Sequence, residues 1–202
     1  MVDLKKAVQE KGFTVAHIKT DSIKIPNASQ EIIDFVMDFG RKYGYSFEHE
    51  ATYSRFCLVN DAVYVAKDGE TGKWSATGAQ FQHPYVFKKL FSKEQIENKD
   101  YIENRSVQKG HIWMAYDEDH PRTFIGKASQ LIPVNAGFAM AGTPLRVDDG
   151  NEYAVPGTKG YLWAPAETVS DESYIDLYYF EGLVEEALQN IGKFGDYSDL
   201  VS

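Results

Sequence analysis

The chain has 202 residues, of which 43% are apolar and 25% charged, a globular composition that argues against a disordered or fibrous protein. Its single cysteine excludes an intrachain disulfide framework and a cysteine-based zinc cluster, and indicates a reducing compartment. No apolar run approaches the roughly 20 residues of a membrane span, and the start of the chain lacks the apolar core of a secretory signal. We therefore expect a cytoplasmic protein with no membrane partner.

The formal net charge of −9 is concentrated in the last third of the chain. Residues 131–202 carry 3 basic and 12 acidic residues, whereas residues 51–130 carry 11 basic and 10 acidic ones. Binding to nucleic acid requires Lys and Arg to neutralise phosphates. The acidic total therefore does not exclude DNA, but it makes the last third a poor place to look for a DNA contact.

Local patterns near the start of the chain predict a short amphipathic helix followed by a β-hairpin. The strands of the hairpin, Phe13–Ile18 and Ile23–Ile25, flank a polar tip at Lys19–Ser22. Asn27 or Ser29 is expected to cap the next helix, which carries apolar residues at helical spacing.

The following segment predicts three strands and the beginning of a helix. The strands are Phe47–Glu50, Tyr53–Val59 and Ala62–Ala66, the last two forming a hairpin, and the helix begins over Pro84–Phe91. Ser92–Val107 is polar and is interpreted as a linker or a mobile helix.

The remainder of the chain alternates short β-like runs with turns rich in Gly, Pro and Asp. It closes with an amphipathic helix at about Ser173–Ile191, whose aromatic stripe is interpreted as core. The whole pattern predicts an α+β fold. We expect two domains, residues 1–93 and a β-rich unit at residues 94–202 with a C-terminal helix.

Several reactive residue types have ordinary structural interpretations. Cys57 lies in an apolar strand and is expected to be a core thiol. The acidic run Asp117–His120 before a proline is interpreted as an exposed loop. Gly157–Gly160 lacks the spacing of a phosphate-binding loop and is interpreted as a tight turn.

Asp21 is the residue that carries the chemical hypothesis. A carboxylate on an exposed tip between rigid apolar strands is suited to holding a divalent cation such as Mg²⁺. Thr, Asp and Ser are also common turn residues, so this motif alone leaves an ordinary turn as the alternative.

The order of motifs from Leu4 to Lys67 resembles the second half of the palm of family B DNA polymerases, in particular bacteriophage-type members. That family has a helix, a strand, a Y-G-D-T-D-S turn, a return strand and a helix, followed by F-E, Y-x-R-x-x-L and K-K-x-Y motifs. This chain has K-T-D-S, F-E, Y-S-R-F-C-L and N-D-A-V-Y in the same order, at 19–22, 47–48, 53–58 and 60–64.

The resemblance implies a role for each matching residue. Asp21 matches the second Asp of D-T-D-S, the catalytic carboxylate that ligates Mg²⁺ together with an Asp of an earlier motif. Thr20 and Ser22 would lie near the primer end. Lys19 replaces the first Asp, and from that position it could contact a phosphate instead of a metal.

Further DNA contacts are implied after the hairpin. Tyr64 matches the Tyr of K-K-x-Y, which contacts the primer strand beside the active site. Arg55 and Lys67 are interpreted as phosphate contacts on the same face. Lys88 and Lys89, on the helix after Pro84, are candidates for contacts to the duplex backbone, with a solvated helix face as the alternative.

The resemblance implies that the chain is a fragment or subunit of a DNA-directed DNA polymerase, from a phage or prophage in a bacterial host. The earlier palm Asp, the nucleotide-binding helix and the exonuclease would lie upstream of Met1. With one protein carboxylate the chain alone is expected to be inactive. Its partners would be primer–template DNA, deoxynucleoside triphosphates and an upstream polypeptide. The alternatives are a non-catalytic DNA-binding accessory module, or a polymerase remnant that acts in protein interaction.

Overall fold

The computed structural model describes residues 1–202, which form two compact units. Unit 1 comprises residues 1–81 and 189–202, and unit 2 comprises residues 82–188. The division expected after residue 93 falls inside unit 2. Helices combined with antiparallel sheets confirm the α+β class. None of the helices is both long and apolar enough to cross a bilayer.

The first part of the chain contains four short or medium helices and five strands. They are α1 (Val2–Glu10), β1 (His17–Ile18), β2 (Ile23–Lys24), α2 (Gln30–Lys42), β3 (Tyr53–Asn60), β4 (Val63–Asp68), β5 (Trp74–Thr77), α3 (Ala79–Gln82) and α4 (Pro84–Phe87), the last continuing into a π-helical turn at Lys88–Ser92.

The second part is mainly β-structure and ends in two helices. After a 3₁₀ turn at Asn98–Tyr101 its elements are β6 (Glu103–Ser106), β7 (His111–Ala115), β8 (Thr123–Gly126), β9 (Ala128–Val134), β10 (Thr143–Asp148), β11 (Asn151–Ala154), β12 (Leu162–Pro165), α5 (Leu177–Gly192) and α6 (Tyr197–Val201), with two further 3₁₀ turns at Ala166–Thr168 and Glu172–Tyr174.

All the sheets are antiparallel. In unit 1, β1 pairs with β2, and a second sheet has the order β3-β4-β5. In unit 2, one sheet has the order β12-β9-β6 and the other the order β11-β10-β7-β8. Alternation along β7 turns Ile112 and Met114 inward, where both are fully buried.

Each unit has its own apolar core. In unit 1, α1 and α2 pack through buried Leu4, Val8, Ile32 and Val36. The Ser29 hydroxyl accepts a hydrogen bond from the Ile32 amide and so caps α2, as one of the two predicted alternatives has it.

The core of unit 2 is centred on aromatic rings. Trp163 and Phe180 are fully buried, and Phe180 contacts both Tyr85 and Tyr101. The prediction that the last helix contributes aromatic core is confirmed for Tyr179 and Phe180; Tyr178, by contrast, is 75% exposed.

Three sequence expectations are wrong in detail. Phe47–Glu50 is not a strand, and the strand expected over Phe13–Ile18 is reduced to its last two residues. The segment Ser92–Val107 is not a linker, because Asp100 and Tyr101 are buried and β6 begins at Glu103. Its polar sequence misled because two of its acidic residues, Asp100 and Glu103, are buried and ion-paired with Lys88 and Arg105.

Candidate nucleic-acid interface around the Asp21 hairpin

The predicted hairpin forms, with two residues in each strand. His17 pairs with Lys24 and Ile18 pairs with Ile23. The tip is closed by a hydrogen bond of 2.9 Å from the Lys19 amide to the Ser22 carbonyl. Lys19, Thr20 and Asp21 are exposed there, and Ser22 is half-buried.

The two faces of the hairpin contact different parts of unit 1. Ile23 packs against the core between α1 and α2. On the other face, the His17 Nε2 donates to the Asp61 carbonyl at 2.9 Å, and the Lys24 ammonium lies 4.8 Å from the centre of the Tyr64 ring. The β1–β2 hairpin that carries Asp21 therefore contacts α1 and α2 on one face and the β3–β4 turn on the other.

Charged groups converge on Lys24. Burial lowers the pKa of the Lys24 ammonium; Glu50 opposes that shift, Lys19 adds to it, and Asp21 opposes it. The carboxylates of Asp21 and Glu50 therefore act on the same ammonium from different segments of the chain.

A β-bulge at Ser54 places Tyr53 beside this cluster. The pairing between β3 and β4 shifts between Tyr53 and Arg55, and the Tyr53 ring consequently lies 5.8 Å from Phe56. Burial raises the pKa of Tyr53, and the neighbouring Tyr64 and Glu50 raise it further.

The β3-β4-β5 sheet places Tyr64 on one face and Arg55 and Lys67 on the other, although the sequence analysis expected all three on one face. Arg55 pairs directly with Lys67, so both side chains lie on one face. Tyr64 is three residues from Lys67 along a regular strand and lies on the opposite face, where it stacks on Phe56. The expectation that Arg55 and Lys67 share the face of Tyr64 is wrong.

The two lysines after Pro84 differ in environment. The Lys88 ammonium is 2.8 Å from Oδ2 of buried Asp100 and also donates to the Gln95 carbonyl. Lys89 is exposed and lies 5.7 Å from the Tyr85 ring centre. A role in DNA binding stays a prediction for both, and only Lys89 offers an exposed ammonium.

The residues present do not form a complete cation site. The structure contains no group of three or more His, Cys, Asp or Glu side chains able to surround a metal ion. The exposed Asp21 offers a hard oxygen ligand of the kind Mg²⁺ prefers, but this chain does not supply a full ligand set around it.

Of the residues given ordinary interpretations, those of the loop and the turn lie as expected, whereas Cys57 is less buried than the expected core thiol. Cys57 is half-buried, and burial raises the pKa of its thiol, which disfavours a nucleophilic thiolate. The Asp117 carboxylate and the His120 ring are hydrogen-bonded in an exposed loop. Gly157 and Gly160 both have positive φ, as a tight turn requires.

Comparison with protein-family models, curated proteins and solved structures finds no match for this chain.

Sequence reasoning did not identify three residues of this interface. The sequence shows Lys24 as a cation three positions after Asp21. Lys24 pairs with His17, so the two side chains lie on the same face of the hairpin. Glu50 lies in a segment that has no regular structure, and no local pattern links it to the hairpin. Tyr53 joins the cluster only through the bulge.

Proposed function

We propose that this chain is part of a DNA-directed DNA polymerase of the family B type, a nucleotidyltransferase, in which Asp21 is a catalytic carboxylate. The proposal extends to its setting, a phage or prophage protein acting in the bacterial cytoplasm. The observation that carries it is the contact between Lys24, on the hairpin of Asp21, and Tyr64. The motif resemblance requires Asp21 and Tyr64 to serve one primer end, although 43 residues separate them in the sequence.

Under this proposal Asp21 supplies one oxygen ligand to a Mg²⁺ site that a second polypeptide completes. The metal would activate the primer hydroxyl and hold the triphosphate of the incoming nucleotide. The chain's own residues do the positioning. The His17 bond to the Asp61 carbonyl and the Lys24 contact fix the hairpin tip against Tyr64, and Thr20 and Ser22 flank the carboxylate.

Primer extension tests the proposal directly. The chain is mixed with the polypeptide encoded immediately upstream, together with primer–template DNA, Mg²⁺ and deoxynucleotides. We expect extension only when both polypeptides are present, and its abolition by Asp21→Asn. The matched control is Asp38→Asn, an exposed carboxylate on α2 whose only ion pair is with Arg41 on the same helix.

Two results would reject the catalytic assignment. One is the absence of extension from a folded mixture of both polypeptides. The other is extension that Asp21→Asn leaves unchanged. Either would favour the accessory-module alternative, which requires DNA binding but neither Mg²⁺ nor Asp21.

A further inference from the structure

Arg55, Lys67 and Trp74 form a row across the β3-β4-β5 sheet. Arg55 is the pairing partner of Lys67, and Lys67 is the pairing partner of Trp74. Direct partners in antiparallel strands lie side by side on one face. The Lys67 ammonium lies 5.7 Å from the centre of the Trp74 ring, within range of a cation–π contact. This face is opposite to that of Tyr64.

Two cations in directly paired positions repel each other and destabilise the sheet. Neither Arg55 nor Lys67 forms an ion pair, since no carboxylate lies within 4 Å of either charge. Lys88 and Arg105, by contrast, are each paired with a carboxylate. Asp68, which follows Lys67 in the sequence, is engaged elsewhere. Its Oδ1 accepts hydrogen bonds from the amide and the hydroxyl of Thr71 in the following loop. The sheet therefore presents an uncompensated pair of positive charges.

We propose that Arg55 and Lys67 bind one phosphate of a nucleic-acid backbone, with Trp74 orienting the Lys67 ammonium. The guanidinium of Arg55 provides a planar fork of donors that matches phosphate oxygens, and Lys67 adds a point charge. Because Arg55 and Lys67 lie on the face opposite Tyr64, this phosphate is distinct from any held beside Asp21. That the anion is DNA rests on the proposed function, whereas the anion site itself rests on the paired cations.

The test is the salt dependence of binding to a fluorescently labelled primer–template duplex, measured by anisotropy without Mg²⁺. Each phosphate contact contributes about 0.9 to the slope of log K against log salt. Because the two cations share one phosphate, we expect Arg55→Gln combined with Lys67→Gln to reduce that slope by about 0.9, and to weaken binding on the order of tenfold at about 0.1 M salt. The charge-conserving pair Arg55→Lys and Lys67→Arg should retain most of the affinity.

Lys73→Gln is the matched control, because Lys73 is an exposed cation on the β4–β5 connection outside the row. It should leave the slope within measurement error. A double variant that keeps the wild-type slope, or a control that lowers it equally, would overturn the proposal. Binding of inorganic phosphate by the wild type but not by the double variant, without any effect on the duplex slope, would assign the site to free phosphate and reject DNA.

This experiment separates the site from the polymerase proposal. Failure of primer extension with the upstream polypeptide leaves the salt slope of this chain's own binding untouched. Conversely, a salt slope that does not change in the Arg55 and Lys67 variants would have no bearing on whether primer extension requires Asp21. Circular dichroism of each variant confirms that the sheet is folded before its affinity is compared.

Discussion

The ammonium of Lys24 lies 4.8 Å from the centre of the Tyr64 ring and joins the β1–β2 hairpin to β4. With only two residues in each strand, the hairpin has little hydrogen bonding of its own. A hairpin this small is marginal in isolation. Its position therefore depends on contacts of this kind.

We predict that Tyr64→Leu loosens the hairpin. Loss of the cation–π contact, worth about 0.5–1 kcal/mol at exposed sites, should speed amide hydrogen exchange at Lys19 about two- to fivefold. Tyr64→Phe keeps the ring and is the control for the hydroxyl. Equal exchange in Tyr64→Leu and the wild type would show that the contact does not hold the hairpin.

Glu103 is predicted to contribute strongly to the stability of unit 2. Its buried carboxylate pairs with Arg105 at 3.1 Å and with the His83 ring, and Arg105 also donates to the Tyr179 hydroxyl. Glu103→Ala would leave the charge of the partly buried Arg105 without its carboxylate partner. We expect a loss of about 3–5 kcal/mol in the free energy of unfolding, measured with urea.

Glu152→Ala provides the comparison for that loss, because Glu152 pairs with Arg122 where both side chains are more than two-fifths exposed. Exposed pairs contribute about 1 kcal/mol or less. A Glu103→Ala variant no less stable than Glu152→Ala would contradict the importance assigned to the buried network.

Arg55→Gln is predicted to stabilise the protein slightly at low salt. The substitution removes the repulsion between Arg55 and its pairing partner Lys67, a gain of about a few tenths of a kcal/mol. Added salt should shrink the gain, since both charges are screened. Thermal unfolding at two salt concentrations measures it. A stabilised variant that binds DNA less well would show that the cation pair is retained for binding and not for folding.

Stability is predicted to fall at alkaline pH because of four tyrosines. Burial is the largest cause of the raised pKa at each of Tyr53, Tyr85, Tyr101 and Tyr179. A raised folded-state pKa gives stability that is fully present below the unfolded value of about 10 and is lost as the pH rises through the folded value.

Titration of phenolate absorbance, combined with unfolding at each pH, tests this prediction. Tyr179→Phe should flatten the alkaline decline, and Tyr178→Phe, at a neighbouring exposed side chain, is the control. A stability profile that stays level above pH 10 would contradict it.

Features that depend on local pattern could be predicted from the sequence. The α+β class, the Lys19–Ser22 tip and the β3–β4 hairpin all follow from turn chemistry and from apolar residues at period 2 or 3.6, which act within a few residues. The cap of α2 was left open between Asn27 and Ser29, and the structure decides for Ser29. The motif order that resembles a polymerase palm is likewise a property of the sequence alone.

Which side chains contact each other across the sheet depends on the three-dimensional fold. One bulged residue, Ser54, sends Tyr53 to the face of Tyr64 and leaves Arg55 on the other, because side-chain direction alternates at every residue and a single insertion reverses it. The ion pair of Lys88 with Asp100 likewise turned an expected linker into buried structure. Such long-range pairings leave no periodic signal in the sequence, since burial of a charge depends on a partner far along the chain.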